Sequence, residues 1–196
     1  MPEWTALFDA HLRKLLDGQD RSGFLEQFGW VEEMSSRALA VLSTESLAST
    51  PAEKIYATLD SINVPGCQVR MTNLGRVNQA SDVIEGIQKL LSAPGDFAVK
   101  YRAGKIPQAG IVTLTQILSL ARPHRFIIRN AASTRALAKV VPLYSVRALG
   151  EFGYEEFLDI CRELTKVVET ELKAFGLADW AREYRFLLLY ALLTSE

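Results

Sequence analysis

Apolar residues return every three or four positions along most of the 196-residue chain, the period of amphipathic α-helices. Residues 2–17 place Trp4, Leu7, Phe8, His11, Leu12 and Leu15 on such a stripe, and Gly18 stops it. Residues 22–42 repeat the pattern through Phe24, Phe28, Val31, Ala38 and Leu42, ahead of a polar break over 43–51. Pro51 then opens a helix carried by Ile55, Leu59 and Ile62. The period lapses over 64–81, which has Gly66, Gly75 and no apolar stripe. It reads as a long ordered loop or short extended pieces, with Ser81 as the N-cap of a helix over 82–92. Pro107 starts a helix that runs to about Ala121, before Pro123. RFIIRN, 125–130, is either a strand or a short extended connector. Ser133 is placed to cap a helix through Val141, and helices over 154–175 and 178–193 flank Gly176 as a C-cap. The expected fold is mainly α: one compact multi-helix domain over 1–196, with a long basic loop and at most one or two short strands. FLLLYALL, 186–193, is apolar on every face, so it either sits at the centre of the core or completes an interface with something beyond Glu196. The chain's ending straight off that run suggests a fragment of a longer protein.

That apolar run is less than half of what a bilayer requires, and the N-terminus carries acids and bases throughout, unlike a signal peptide. A cytoplasmic protein without a membrane partner is expected. Cys67 and Cys161 read as reduced structural thiols, and neither forms a pair of zinc-ligand spacing with His11 or His124. No cofactor is implied. His11, set among apolar residues, fits a packed core histidine better than a ligand.

Charge changes the picture more than composition does. The formal net charge of −1 conceals three blocks: ten acids and five bases over 1–60, three and twelve over 61–150, ten and five over 151–196. The chain therefore reads as acidic helical 1–64, basic central 65–150 and acidic helical 151–196. From 97 to 150 there is no acid, while Lys100, Arg102, Lys105, Arg122, Arg125, Arg129, Arg135, Lys139 and Arg147 remain. Bases gathered on one face imply an anionic partner; a core segment merely poor in charge explains the missing acids but not the retained bases. In ARPHRFIIRN, 121–130, Phe126, Ile127 and Ile128 are expected to anchor inward, leaving Arg122, Arg125 and Arg129 exposed beside His124. Arginine suits that role because its planar donor fork grips phosphate oxygens. The loop 68–81 adds Arg70 and Arg76, with Asn73, Asn78 and Gln79, types that bond phosphates and base edges. Glu151, Glu155, Asp159 and Glu163 recur at helical spacing; they form either a divalent-metal cluster or, more simply, a solvated face relieved by Arg162 and Lys166. No nucleophile–base arrangement, dinucleotide loop or Walker A motif is present.

IPQAGIVTLTQIL, 106–118, resembles the second half of a helix-hairpin-helix, whose usual hairpin is apolar–Pro–Gly–apolar–Gly followed by a helix. Pro107 and Gly110 match. Gln108 stands where the family has its first glycine, and glutamine disfavours the positive φ of a tight turn. The resemblance implies that Gly110 brings backbone N–H groups and a helix N-terminus against a DNA phosphate, with Lys105 and Gln108 beside it. A second resemblance, over 106–142, is to helix-hairpin-helix DNA glycosylases; Arg129 and Asn130 stand where their essential Asp would be, and Val112 where bifunctional members have a catalytic Lys. A shared scaffold would therefore be non-catalytic. A third, over 106–188, is to the region preceding the AAA+ motor of McrB-like restriction GTPases, carried by Leu118, Arg122, Pro123, Phe126, Ile128, Asn130, Ala136, Leu137, Tyr154, Phe157 and Leu158. It implies a substrate-recognition module working with an AAA+ motor domain or a nuclease. The expectation is thus a non-catalytic module for double-stranded DNA in a restriction or defence system. The alternative is a helical adaptor that docks on an acidic protein or a neighbouring domain.

Overall fold

Short side chains at helix entrances set several element boundaries. Asp20, Ser43, Asp96 and Ser145 each accept a hydrogen bond from the backbone N–H three residues on, satisfying a donor that the first helical turn leaves free. The computed structural model describes residues 3–62, 64 and 71–195. They form α1 (Ala6–Leu16), α2 (Arg21–Phe28), α3 (Trp30–Leu42), α4 (Thr44–Ser49), α5 (Ala52–Ser61), α6 (Met71–Val77) and α7 (Ala80–Ser92). There follow α8 (Phe97–Ala103), α9 (Ile111–Ala121), α10 (Ala131–Val140), α11 (Val146–Glu151), α12 (Tyr154–Leu172), α13 (Ala178–Glu183) and α14 (Arg185–Thr194). The fold is mainly α, and no strand occurs among the described residues.

Several boundaries differ from those the pattern predicts. The helix over 22–42 is divided at Gly29, the residue type least able to hold a helix interior apart from proline. The polar break holds α4, capped by Ser43. The long loop is shorter than expected, because α6 occupies 71–77. The Asp60 carboxylate at the end of α5 accepts from the N–H groups of Met71 and Thr72 and from the Thr72 hydroxyl, so this helix is started from another element. α7 begins at Ala80 behind Gln79, which stands two residues ahead of the expected Ser81 cap. α9 starts at Ile111, behind Gly110, instead of at Pro107. Asn130, not Ser133, caps α10; Ser133 answers from the third helical position, closing a capping box.

α14 lies at the centre. Every residue from Phe186 to Leu193 is buried, and the helix packs against α12, α13, α10, α9 and α3. Its all-apolar surface is thus consumed within this chain, and no neighbouring domain is needed to cover it. Around it, α12 turns Phe157, Ile160, Leu164, Val167 and Val168 inward, and α9 buries everything from Thr113 to Leu120. Among the described residues, no helix is long and apolar enough to cross a membrane.

Candidate functional site

The acid-free centre divides into groups with different partners. Lys100 is fully buried, and its ammonium donates to the carbonyls of Leu90, Leu91 and Ala93 at the C-terminal end of α7. Arg122, half-buried, donates to the Leu91 carbonyl of the same helix end. Arg129, also half-buried, donates to the carbonyls of Leu149, Gly150 and Phe152 where α11 stops, and its guanidinium lies 5.4 Å from the Phe157 ring centre. A helix C-terminus presents unpaired carbonyls and the negative end of its dipole, so a cation there needs no carboxylate. This accounts for Lys100, Arg122 and Arg129, three of the nine bases in the segment without acids. Burial lowers the pKa of Lys100, with a further push from Arg122 and Arg125; it lowers that of Arg122 and Arg129 as well. The expectation that Arg122 and Arg129 stand out in solvent is therefore corrected.

RFIIRN is an extended connector, not a strand. Ile127 has no β partner; its N–H donates to the Tyr154 hydroxyl at 2.9 Å, and that hydroxyl donates to its carbonyl at 2.7 Å. Phe126, Ile127 and Ile128 are buried as expected, while His124 and Arg125 are exposed. Arg125 reaches the Gly95 carbonyl at 3.3 Å, and Arg185 reaches the His124 carbonyl at 2.7 Å. Desolvation lowers the His124 pKa, reinforced by Arg185, Arg125 and Arg122 and opposed by Glu183.

The segment 104–110 forms a tight hairpin between α8 and α9. Ala109 donates to the Ile106 carbonyl at 3.0 Å, and Gln108, between them, has φ +64°, the left-handed region that normally calls for glycine. The turn is thus present despite the glutamine. It is pressed on α7: a Cβ on Gly86 would meet Ile106 at 2.4 Å, and one on Gly104 would meet Leu90 at 2.4 Å. Asn78, following α6, donates to the Pro107 carbonyl at 3.1 Å, so Arg76 belongs to an element that touches the hairpin. Gly110 caps α9 without a side chain and faces open space, and no described residue accepts from the N–H groups of Ile111, Val112 or Thr113. Arg76, Arg102 and Lys105 are exposed and form no ion pair with a described residue. Asp82 and Glu85 share a shallow hollow with Lys105, and Glu85 is held by Lys89 at 2.5 Å.

Gln108, Gly110 and Lys105 therefore fall in one region, and Arg76 lies on α6 two residues before the Asn78 that touches it. Arg125 belongs to another, where it meets Arg162 and Arg185 around a hollow of about 240 Å³. The acids there are engaged, Asp96 as the cap of α8 and Glu155 as acceptor for the Phe97 N–H. Arg135 lies on a third face, with Lys139 and Lys14. Arg70 and Cys67 lie outside the described residues. The i, i+4 relation of Arg135 and Lys139 was readable; the approach of Lys14, Arg162 and Arg185 was not, since each comes from a distant helix.

The expected acidic ridge is split, Glu151 ending α11 and the other three lying on α12, and all are answered by bases on the protein itself: Arg147 pairs with Glu151, Arg162 with Asp159 and Glu155, and Lys166 with Glu163. Asn130, at the place of the glycosylase Asp, receives the Ser133 N–H at 2.8 Å and donates to the Tyr190 hydroxyl at 3.0 Å. Its amide is a structural cap. Cys161 is buried, and burial raises its thiol pKa above the usual range. No protein-family model, curated protein or solved structure matches the chain.

Proposed function

We propose that this protein is a non-catalytic module that binds double-stranded DNA through the α8–α9 hairpin. The observation that carries the reading is the left-handed turn at Gln108 leading into the open N-terminus of α9. No described residue accepts from the first three N–H groups of this eleven-residue helix, whose positive end begins at the exposed Gly110. A phosphate oxygen would accept from this turn, with Lys105, Arg102 and Arg76 placed to meet neighbouring phosphates. Val112 and Asn130 supply neither an amine nor a carboxylate for glycosidic chemistry, which supports binding without turnover. A place beside an AAA+ motor or a nuclease in a restriction or defence system rests on the sequence resemblance.

Gly110→Asp tests the hairpin directly. The backbone at Gly110 is extended, so a carboxylate fits there and caps α9, stabilising the helix by a few tenths of a kcal/mol at about the level of an N-cap exchange. The same carboxylate takes the N–H groups a phosphate needs. In fluorescence anisotropy with a labelled mixed-sequence duplex, we expect affinity to fall about tenfold or more while melting temperature holds or rises. Lys105→Glu is expected to weaken binding and to flatten the salt slope by about one unit, one phosphate's worth. Unchanged affinity in both variants would remove the hairpin from the binding surface.

A further inference from the structure

A groove of about 760 Å³ runs between α1, α10 and the C-terminal end of α14, away from the hairpin. Its apolar lining includes Ala132 and Ala136 along α10 and Leu7 on α1, which keeps 51 % of its surface exposed; His11, Thr194 and Ser195 also line it. Its rim carries Lys14, Arg135 and Lys139, and no described acid lines it. Seven exposed bases elsewhere, Arg13, Arg37, Lys89, Arg147, Arg162, Lys166 and Arg182, hold carboxylates, whereas Arg76, Arg102 and Lys105 near the hairpin do not. The three groove cations hold none among the described residues. Arg135 and Lys139 are also like charges one helical turn apart, a pairing that costs stability until an anion answers it.

We infer that this groove is the docking site for an acidic amphipathic helix of a partner protein. The chemistry fits such a segment better than a nucleic acid. A phosphate backbone would have to cover Leu7, Ala132 and Ala136 with polar atoms, and the Thr194 and Ser195 hydroxyls in the lining already donate to the Tyr190 and Leu192 carbonyls. A helix sets apolar side chains against the apolar part of that lining, and the two alanines allow close approach. Its carboxylates at i, i+4 repeat the spacing of Arg135 and Lys139, with Lys14 closing the opposite wall. The groove is independent of the hairpin, because α1 and α14 contribute nothing to the α8–α9 turn.

The test is anisotropy of a fluorescein-labelled helical peptide of about four turns, with leucines on one face flanked by glutamates at i, i+4 spacing. Its Glu→Gln counterpart and a labelled DNA duplex serve as comparison probes. The full chain is expected to bind the acidic peptide saturably and the Gln peptide roughly tenfold more weakly. Arg135→Glu with Lys139→Glu should lower acidic-peptide affinity about tenfold or more, and Leu7→Asp comparably, because both the charge and the apolar lining are used. Arg135→Gln with Lys139→Gln provides a milder pair should the reversal disturb folding, which circular dichroism reads. Gly110→Asp should bind the peptide like the parent, separating this site from the DNA reading. Absence of saturable peptide binding, or binding indifferent to these variants, overturns the inference. So does loss of duplex binding in the groove variants without any binding of the peptide, which would assign the groove to nucleic acid.

Discussion

At the level of single residues, the basic segment changes meaning between sequence and structure. Arg122, Arg125 and Arg129 look equivalent in ARPHRFIIRN, yet two are half-buried and only Arg125 is exposed. Each reaches a backbone carbonyl, a use of guanidinium that composition cannot distinguish from phosphate capture. His124 makes a prediction about pH. Its folded pKa lies below the ordinary value of 6.5, through desolvation and the nearby Arg185, Arg125 and Arg122. Between the folded and unfolded values the unfolded chain binds more protons, so this residue's contribution to stability falls as pH drops below about 6.5 and is constant above it. A His124→Asn variant is expected to show a flatter stability-versus-pH curve in urea titrations between neutral and mildly acid pH. Proton NMR should place the His124 midpoint below that of an unstructured histidine. A midpoint at or above the ordinary value would contradict the proximity of three guanidinium groups.

At the level of elements, cations serve as C-terminal caps. α7 ends on Lys100 and Arg122, and α11 ends on Arg129, so the loops that follow are held by charge-assisted hydrogen bonds instead of by acids. Arg129→Met keeps most of the side-chain packing against Phe157 but leaves three carbonyls without that donor. We expect a loss of about 1–3 kcal/mol in denaturant unfolding. Lys139→Met, which removes an exposed cation without a partner, is expected to change stability by less than about 0.5 kcal/mol. Equal stability of the two variants would show that the α11 cap is not a stabilising contact. The connector at 126–128 follows the same logic. It holds its extended shape through one tyrosine hydroxyl, so strand propensity was realised locally while strand pairing was not.

At the level of the whole molecule, α14 ties the acidic ends to the basic centre. α12, α13, α10, α9 and α3 all rest on it, so a cavity there is expected to weaken the fold as one unit. Leu188→Ala removes a side chain with no exposed surface and should cost about 2–5 kcal/mol. Tryptophan fluorescence and far-ultraviolet dichroism are expected to report the same shifted midpoint. Separate midpoints would mean that the blocks unfold independently. The positive charge is not gathered on one face. It divides into carbonyl-capping bases, Lys105 at the hairpin and Arg102 beside the start of α9, the hollow with Arg125, and the groove with Arg135 and Lys139.

Helical period, Pro and Gly positions and the apolar count of FLLLYALL determined the mainly α class and placed most helices, because those signals act within a turn or two of the chain. They also fixed the buried face of α12, whereas Pro107, expected to start a helix, lies in the turn that precedes α9. Tertiary structure alone decided what the bases do. A guanidinium's partner depends on which helix end lies beside it, and Leu91, Gly95 and Phe152 are 23 to 31 residues away from the arginines that reach them. α6 shows the same limit, since its capping carboxylate belongs to Asp60 on the preceding helix. Gln108 adds a further case. Its type argues against a left-handed turn, and the turn forms because two glycines let α8 and Ile106 seat against α7. Local sequence preference yields where packing across several elements fixes the backbone.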